Sequence, residues 1–398
     1  MGWSLLIKNN MTYNFDSVPS RRGPGNLNKW MFYSKDVLPM WIADMDFPAA
    51  PQILSALHKQ VEHGVLGYEL PSKTFFETIA VRMKKLYGWE VDPEHIVYTA
   101  GVNNGYNIAA RVLCSTKKGY MIQTPVYNEF LDTEHKTGAK QYVARLAKKV
   151  SGNRISYDVD FDALKVGVKK SVMFLLCHPH NPVGQIYSQA DLERMAEICI
   201  ANDVTIVSDE IHSELLLGAA KFTPLASLSR EIAQRTITML SASKAFNVPG
   251  LACAFAIIPN DELRKRFSKV AEGMNFEIST PGLTAARVAF LGKADAWLRE
   301  LRRYLTGNRD FIVDYVDKNL PGIRVTKPDA TYLIWLDCSE LKLEQSPFEF
   351  FLKEAKVALS DGGKFGNGNE QFVRLNFGAP RKTIELGLSR IRKALRRL

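Results

Sequence analysis

Apolar and polar positions along this chain follow two alternating patterns: apolar runs of strand length, and longer stretches with helical spacing. Runs at 96–99, 120–123, 172–177, 205–208, 236–240 and 252–258 read as strands. Between two of them, Ser188-Gln189-Ala190-Asp191 resembles a capping box with Asp in place of Glu. Leu192, Met195, Ala196 and Cys199 then recur on one helix face, the mark of core contacts. Strands alternating with such helices predict an α/β domain built on a mostly parallel, mixed sheet flanked by helices.

After about residue 290 the pattern changes. A long charged helix is expected over 297–319, then a strand at 332–336, a helix opened by the capping box Ser346-Pro347-Phe348-Glu349, and a strand at 372–376. Ile384, Leu388, Ile391 and Leu395 at helical spacing give an amphipathic closing helix. Three parts are therefore expected: an irregular arm (1–50) folded onto two domains, a large domain (51–290) and a smaller α+β domain (291–398). No internal repeat or low-complexity tract is visible.

The formal charge of +10 raises the question of a polyanionic partner. Its lysines and arginines are scattered, and the one dense basic stretch, 390–397, belongs to the closing helix, so a solvated basic surface is expected and no nucleic-acid partner. No helix-turn-helix module precedes Tyr13. The five cysteines are odd in number and far apart, without a Cys-x-x-Cys pair, so neither disulfides nor zinc are expected and a reducing cytoplasm fits. No apolar run is long enough to span a bilayer. The apolar patch ending at Ile7 is too short for a signal peptide, and Met11 is an alternative start.

Candidate chemistry gathers at the ends of the strands. Lys244 follows an apolar run and lies among Ser241, Ala242 and Ser243, where a solvated surface lysine is not expected. A desolvated lysine has a depressed pKa and can form a Schiff base with an aldehyde. Asp209 ends a β-branched run, and a buried acid there wants a cationic partner such as a protonated pyridine nitrogen. Asn181 follows a third strand, and ligands of open α/β sheets sit beyond the carboxyl ends of strands. Each residue alone has a plainer explanation: Asp209 as a helix cap or buried ion pair, Lys244 as a structural salt bridge. Together with the hydroxyls they point to pyridoxal 5'-phosphate. A strand turns into a helix through Gly101-Val102-Asn103, whose free amides suit a phosphate. Tyr127 is placed to stack on an aromatic ring or to pack in the core.

These residues resemble the fold-type I pyridoxal-phosphate enzymes of the aspartate aminotransferase superfamily. Within it, the chain is similar to bacterial cystathionine β-lyases and cysteine-S-conjugate β-lyases of the MalY/PatB type, from about Tyr13 to the C-terminus. The branch-specific stretches include 15–23, 38–47 (Leu-Pro-Met-Trp-Ile-Ala-Asp-Met-Asp-Phe), 208–212, Ser243-Lys244-Ala245-Phe246-Asn247, 331–337 and Arg374-Leu375-Asn376-Phe377.

The resemblance implies a seven-stranded sheet in the large domain and a role for each residue. Lys244 carries the cofactor, Asp209 pairs with its ring nitrogen, and Asn181 contacts its phenolic oxygen with His212 nearby. Tyr127 stacks on the ring. The amides of Val102 and Asn103, with Ser241 and Ser243, bind phosphate. Arg374 grips the substrate carboxylate as a bidentate fork, and Ala43, Asn181 and Tyr127 border the substrate. Tyr68 would reach the phosphate of a partner subunit, so a homodimer with shared sites is implied. Freed Lys244 would remove the Cα proton, a thiolate would leave Cβ, and pyruvate and ammonia would follow.

Ala252 stands where ordinary aminotransferases usually have arginine, and His212 where they commonly have tyrosine; both favour the lyase branch. Met31, His178 and the loop 360–365 depart from the branch pattern; the loop precedes Arg374 and would shape the substrate side, which puts the substrate preference in doubt. An aminotransferase, or another pyridoxal-phosphate reaction on an amino acid, is the competing outcome. A regulatory protein that keeps the cofactor only for structure is a third, which the filled catalytic positions disfavour.

Overall fold

The computed structural model describes residues 13–22, 28–115, 118–274 and 278–398. The first apolar patch, Met11 and Gly23 lie outside the described residues. The large sheet has seven strands in the order Ile96–Thr99, Ala254–Ile257, Thr236–Leu240, Thr205–Asp209, Ser171–Cys177, Gly119–Thr124 and Gln141–Arg145. Only Ala254–Ile257 is antiparallel to its neighbours; the remaining pairs are parallel. The strand at 96–99 therefore runs the same way as the others, and their carboxyl ends open on one edge. The central strands are buried throughout, which accounts for their unbroken apolar character.

The helix at Gln189–Ile200 starts where Ser188 accepts from the Asp191 N–H at 3.1 Å, and it buries Leu192, Met195, Ala196 and Cys199. Asp295–Asn319 buries a stripe running from Trp297 through Leu301, Leu305 and Ile312 to Val316. Ser346 and Glu349 complete their reciprocal cap. The closing helix, Arg381–Leu395, buries Ile384, Leu388 and Ile391 and leaves Leu395 at its margin.

A second, six-stranded sheet runs Ser360–Asp361, Phe372–Asn376, Leu333–Asp337, Arg324–Val325, Arg154–Asp158 and Ala147–Ser151. Of these strands only Leu333–Asp337 and Phe372–Asn376 were expected, and the last two lie farthest from them in sequence. They form a hairpin that lies in the first half of the chain yet joins the C-terminal strands. Ala147–Ser151 is exposed at every position and so carries no apolar signal. In its partner, Ile155 and Tyr157 alternate inward, and the Tyr157 hydroxyl accepts from the Trp335 indole at 3.2 Å. Trp335 itself stacks on Phe372 and meets Phe365 edge-on. The arm packs Phe15 against Phe47, Trp297 and Tyr304. Its next part, Leu38–Pro39, pairs with Val357–Ala358.

Gly362 shows why the loop before the 372–376 strand has its sequence. A Cβ there would collide with the carbonyl oxygens of Asn369 and Phe372, whereas at Gly363 the nearest neighbour is Asp361 Oδ1, at 3.5 Å. Gly362→Ala is expected to lower stability by about 1–3 kcal/mol through overpacking. Gly363→Ala should stay within about 0.5 kcal/mol of wild type. Urea denaturation of the two variants checks this; equal effects would contradict it.

Candidate active site

Five strand ends deliver the predicted residues to the open edge of the large sheet. Asp209 ends its own strand, and Asn181 and Lys244 follow theirs by four residues each. Tyr127 lies just past the 119–124 strand, and Val102 opens a helix just past 96–99. Across from them, the small sheet supplies Arg374 from the middle of its strand.

Residues 40–45 form a strap between the two sheets, and each of their carbonyls is engaged. Ala43 O accepts from Lys244 Nζ at 2.7 Å and from the Tyr332 hydroxyl at 2.8 Å. Trp41 O accepts from Arg374 Nη2 at 3.1 Å and from the Ser360 hydroxyl at 2.8 Å. The intervening carbonyls, of Ile42 and Asp44, both accept from the Asn376 amide, at 2.5 and 2.7 Å. Met40 O accepts from Asn376 N, and Met45 O from the Asn247 side chain. Alternate carbonyls thus meet the two cations of the site, and those between them are tied to the small sheet. Behind the strap, Arg21 and buried Lys29 pair with Asp44 and Asp46.

Burial dominates the electrostatics. It lowers Lys244 to a pKa of about 8, with Asp44 and Asp209 opposing the shift and Arg374 adding to it. Burial raises Asp209 to about 7, against the Ile211 N–H donated at 3.1 Å and the charge of Lys244. His212 is pushed to about 3, first by burial and then by Lys244 and Arg374, so its ring is neutral; it meets Tyr332 edge-on. Arg374 is 4% exposed, and burial lowers it to about 10. The groups favouring its cationic form are the phenols of Tyr127 and Tyr332, with no carboxylate among them. Its Nη1 donates to Asn181 Oδ1 at 2.9 Å, Phe365 lies under the guanidinium, and Nε is buried without a partner.

This donor set fits pyridoxal phosphate. A buried carboxyl group raised towards neutrality is relieved by a ring cation. The helix at Val102–Leu113 begins at Gly101, which has no side chain to cap it, so the first amides remain for an anion. Gly101 has a φ of 151°, a conformation that side chains rarely adopt. Asn103 Nδ2 reaches the Tyr127 hydroxyl at 3.5 Å, and burial raises that phenol to about 12. Ser241 is partly committed: its hydroxyl donates to Cys253 O at 2.7 Å and accepts from Ser243 N. Tyr68 is not brought to the others; it is 88% exposed on the segment after Pro51–His63.

Sequence reasoning missed Tyr332, Asn247 and Asn376 as parts of the site, and it marked Ser360 and Phe365 only as members of a loop beside Arg374. Arg374 and Asn376 share one strand face by their two-residue spacing, which was a usable signal. No comparable signal marks the carbonyls of the strap.

The family model for class I and II aminotransferases matches residues 36–391. Cystathionine β-lyase PatB of Bacillus subtilis is 36% identical over 391 residues, covering 96% of this chain and all of that protein. OvoB superposes with a TM-score of 0.89 at 37% identity, over 96% of this chain and 99% of its own. Cystalysin of Treponema denticola, whose crystal structure contains pyridoxal 5'-phosphate, superposes with a TM-score of 0.92 at 30% identity, over 97% of this chain and 100% of its own. The chain is a member of the class I and II aminotransferase family, in the cystathionine β-lyase branch that includes PatB.

Proposed function

We propose that the protein is a pyridoxal-phosphate-dependent carbon–sulfur β-lyase that takes cystathionine or related cysteine S-conjugates and releases a thiol, pyruvate and ammonia. One observation carries the reading: two buried cations, Lys244 and Arg374, lie on alternate carbonyls of one strap, with Asp209 at the facing strand end. Bound cofactor supplies the electron sink that accepts the Cα–H electron pair and lets sulfur depart from Cβ. Asp209 holds the proton on the ring nitrogen. Arg374 receives the α-carboxylate, which gives its buried charge the partner it lacks, and Asn181 fixes the fork from the other side. Lys244 Nζ takes the Cα proton as general base. With a pKa of about 8, roughly a fifth of it is neutral near pH 7.4, far more than an ordinary lysine would supply. Ala43 O then accepts from the ammonium so formed. Neutral His212 adds no charge beside the ring.

The leaving group distinguishes this outcome from transamination. Cystathionine incubated without any keto acid should give pyruvate, homocysteine and ammonia, and Lys244→Ala should abolish the release. Turnover only in the presence of a keto acid, with a new amino acid formed, would establish an aminotransferase instead.

The working state we propose is a cytoplasmic homodimer without a nucleic-acid or membrane partner. The five cysteines are free, and among the described residues no helix is long and apolar enough to cross a membrane. Val61, Val65, Leu66, Tyr68 and Leu70 are all well exposed on one stretch, an apolar surface that a second copy would cover. Val65→Asp should halve the mass in sedimentation equilibrium and weaken cofactor retention. A wild-type protein that sediments as a single chain would refute the dimer.

A further inference from the structure

The geometry points to Ser360 as a binding residue for the substrate carboxylate, acting with Arg374 as a hydrogen-bond switch. This rests on the reading of Arg374 as the carboxylate site. A guanidinium has five N–H donors, and any two-point grip on a carboxylate uses Nη2, either with Nε along one edge or with Nη1 across the end. Both hydrogens of Nη2 are already placed: one on Trp41 O at 3.1 Å and one on Ser360 Oγ at 3.1 Å. Nη1 gives one hydrogen to Asn181 Oδ1, and Nε has none engaged. A bidentate carboxylate therefore has to displace one of the resident acceptors on Nη2.

Trp41 O can only accept. Ser360 differs, because its hydroxyl both accepts from Nη2 and donates to Trp41 O at 2.8 Å. Rotating that O–H away from the carbonyl aims it at an incoming carboxylate oxygen. The oxygen left behind on Trp41 loses one of two donors and stays hydrogen-bonded or solvated by the other. Ser360 thus holds the guanidinium in place before substrate arrives and adds a third donor once it has bound. The position is set by the short strand Ser360–Asp361, which pairs Ser360 directly with Arg374.

The test compares two ligands that differ in the carboxylate alone. Dissociation constants of L-alanine and L-alaninamide are measured by absorbance titration of the cofactor-loaded protein, for wild type, Ser360→Ala, Ser360→Thr and Arg374→Ala. Ser360→Ala should weaken L-alanine roughly tenfold, the loss of one hydrogen bond to a charged group, and leave L-alaninamide unchanged. Ser360→Thr, which keeps the hydroxyl, should restore L-alanine binding. The proposal is overturned if Ser360→Ala leaves L-alanine unchanged, or if it weakens both ligands alike, as a merely structural role would. Arg374→Ala separates the two readings. If that variant loses the discrimination between the ligands while Ser360→Ala keeps it, only the serine proposal fails. If Arg374→Ala also keeps it, the carboxylate site itself lies elsewhere.

Discussion

The carbonyls of residues 40–45 are the constraint on which the site depends. Lys244 comes from the large sheet and Arg374 from the small one, more than a hundred residues apart in sequence. Their separation is fixed because both donate to one short piece of backbone, through Ala43 O and Trp41 O. That piece is in turn held by Asn376, two residues after the arginine, and by Asn247, three residues after the lysine. Backbone carbonyls suit this task because they stabilise a cation without neutralising it. A carboxylate in either place would hold the lysine protonated or occupy the fork meant for substrate.

The site is consequently left with charges that its own residues do not satisfy. Burying a charge without a partner is expensive, and the cost appears here as displaced ionisation: Lys244 and Arg374 lowered, Asp209 raised. Each displacement is removed by a different part of the expected occupants. In the proposed reading a ring nitrogen would answer Asp209, an aldehyde Lys244, and an amino-acid carboxylate Arg374. His212 is neutral chiefly because it is buried, and the two neighbouring cations add to that shift.

Much of this was legible in the sequence because it is written in side chains. Asp209 at the end of a β-branched run, Lys244 behind an apolar one and Asn181 after a third define a sheet edge without any coordinates. Short caps such as Ser346 with Glu349 and the long stripe from Trp297 to Val316 were equally plain. The hairpin at 147–158 was not, because Ala147–Ser151 is solvated on both faces and its pairing partner lies far along the chain. Resemblance alone had put Ala43 of the strap beside the substrate; the strap's carbonyl contacts were hidden for another reason. Trp41 and Ala43 act through carbonyl oxygens that every residue type carries, so their identities hold no record of the contact. Tyr332 and Ser360 were obscured because their hydroxyls donate to those same oxygens.

The claim that Lys244 is a desolvated amine held at the strap is tested most directly by the pH dependence of its reaction with pyridoxal phosphate. Cofactor-free protein is exposed to the aldehyde across a pH series, reduced with borohydride and mapped by mass spectrometry. Only the neutral amine reacts, so incorporation should be low in acid and rise with a midpoint near pH 8, at Lys244. A midpoint at the ordinary lysine value, about 10.4, or adducts spread over other lysines, would contradict the account.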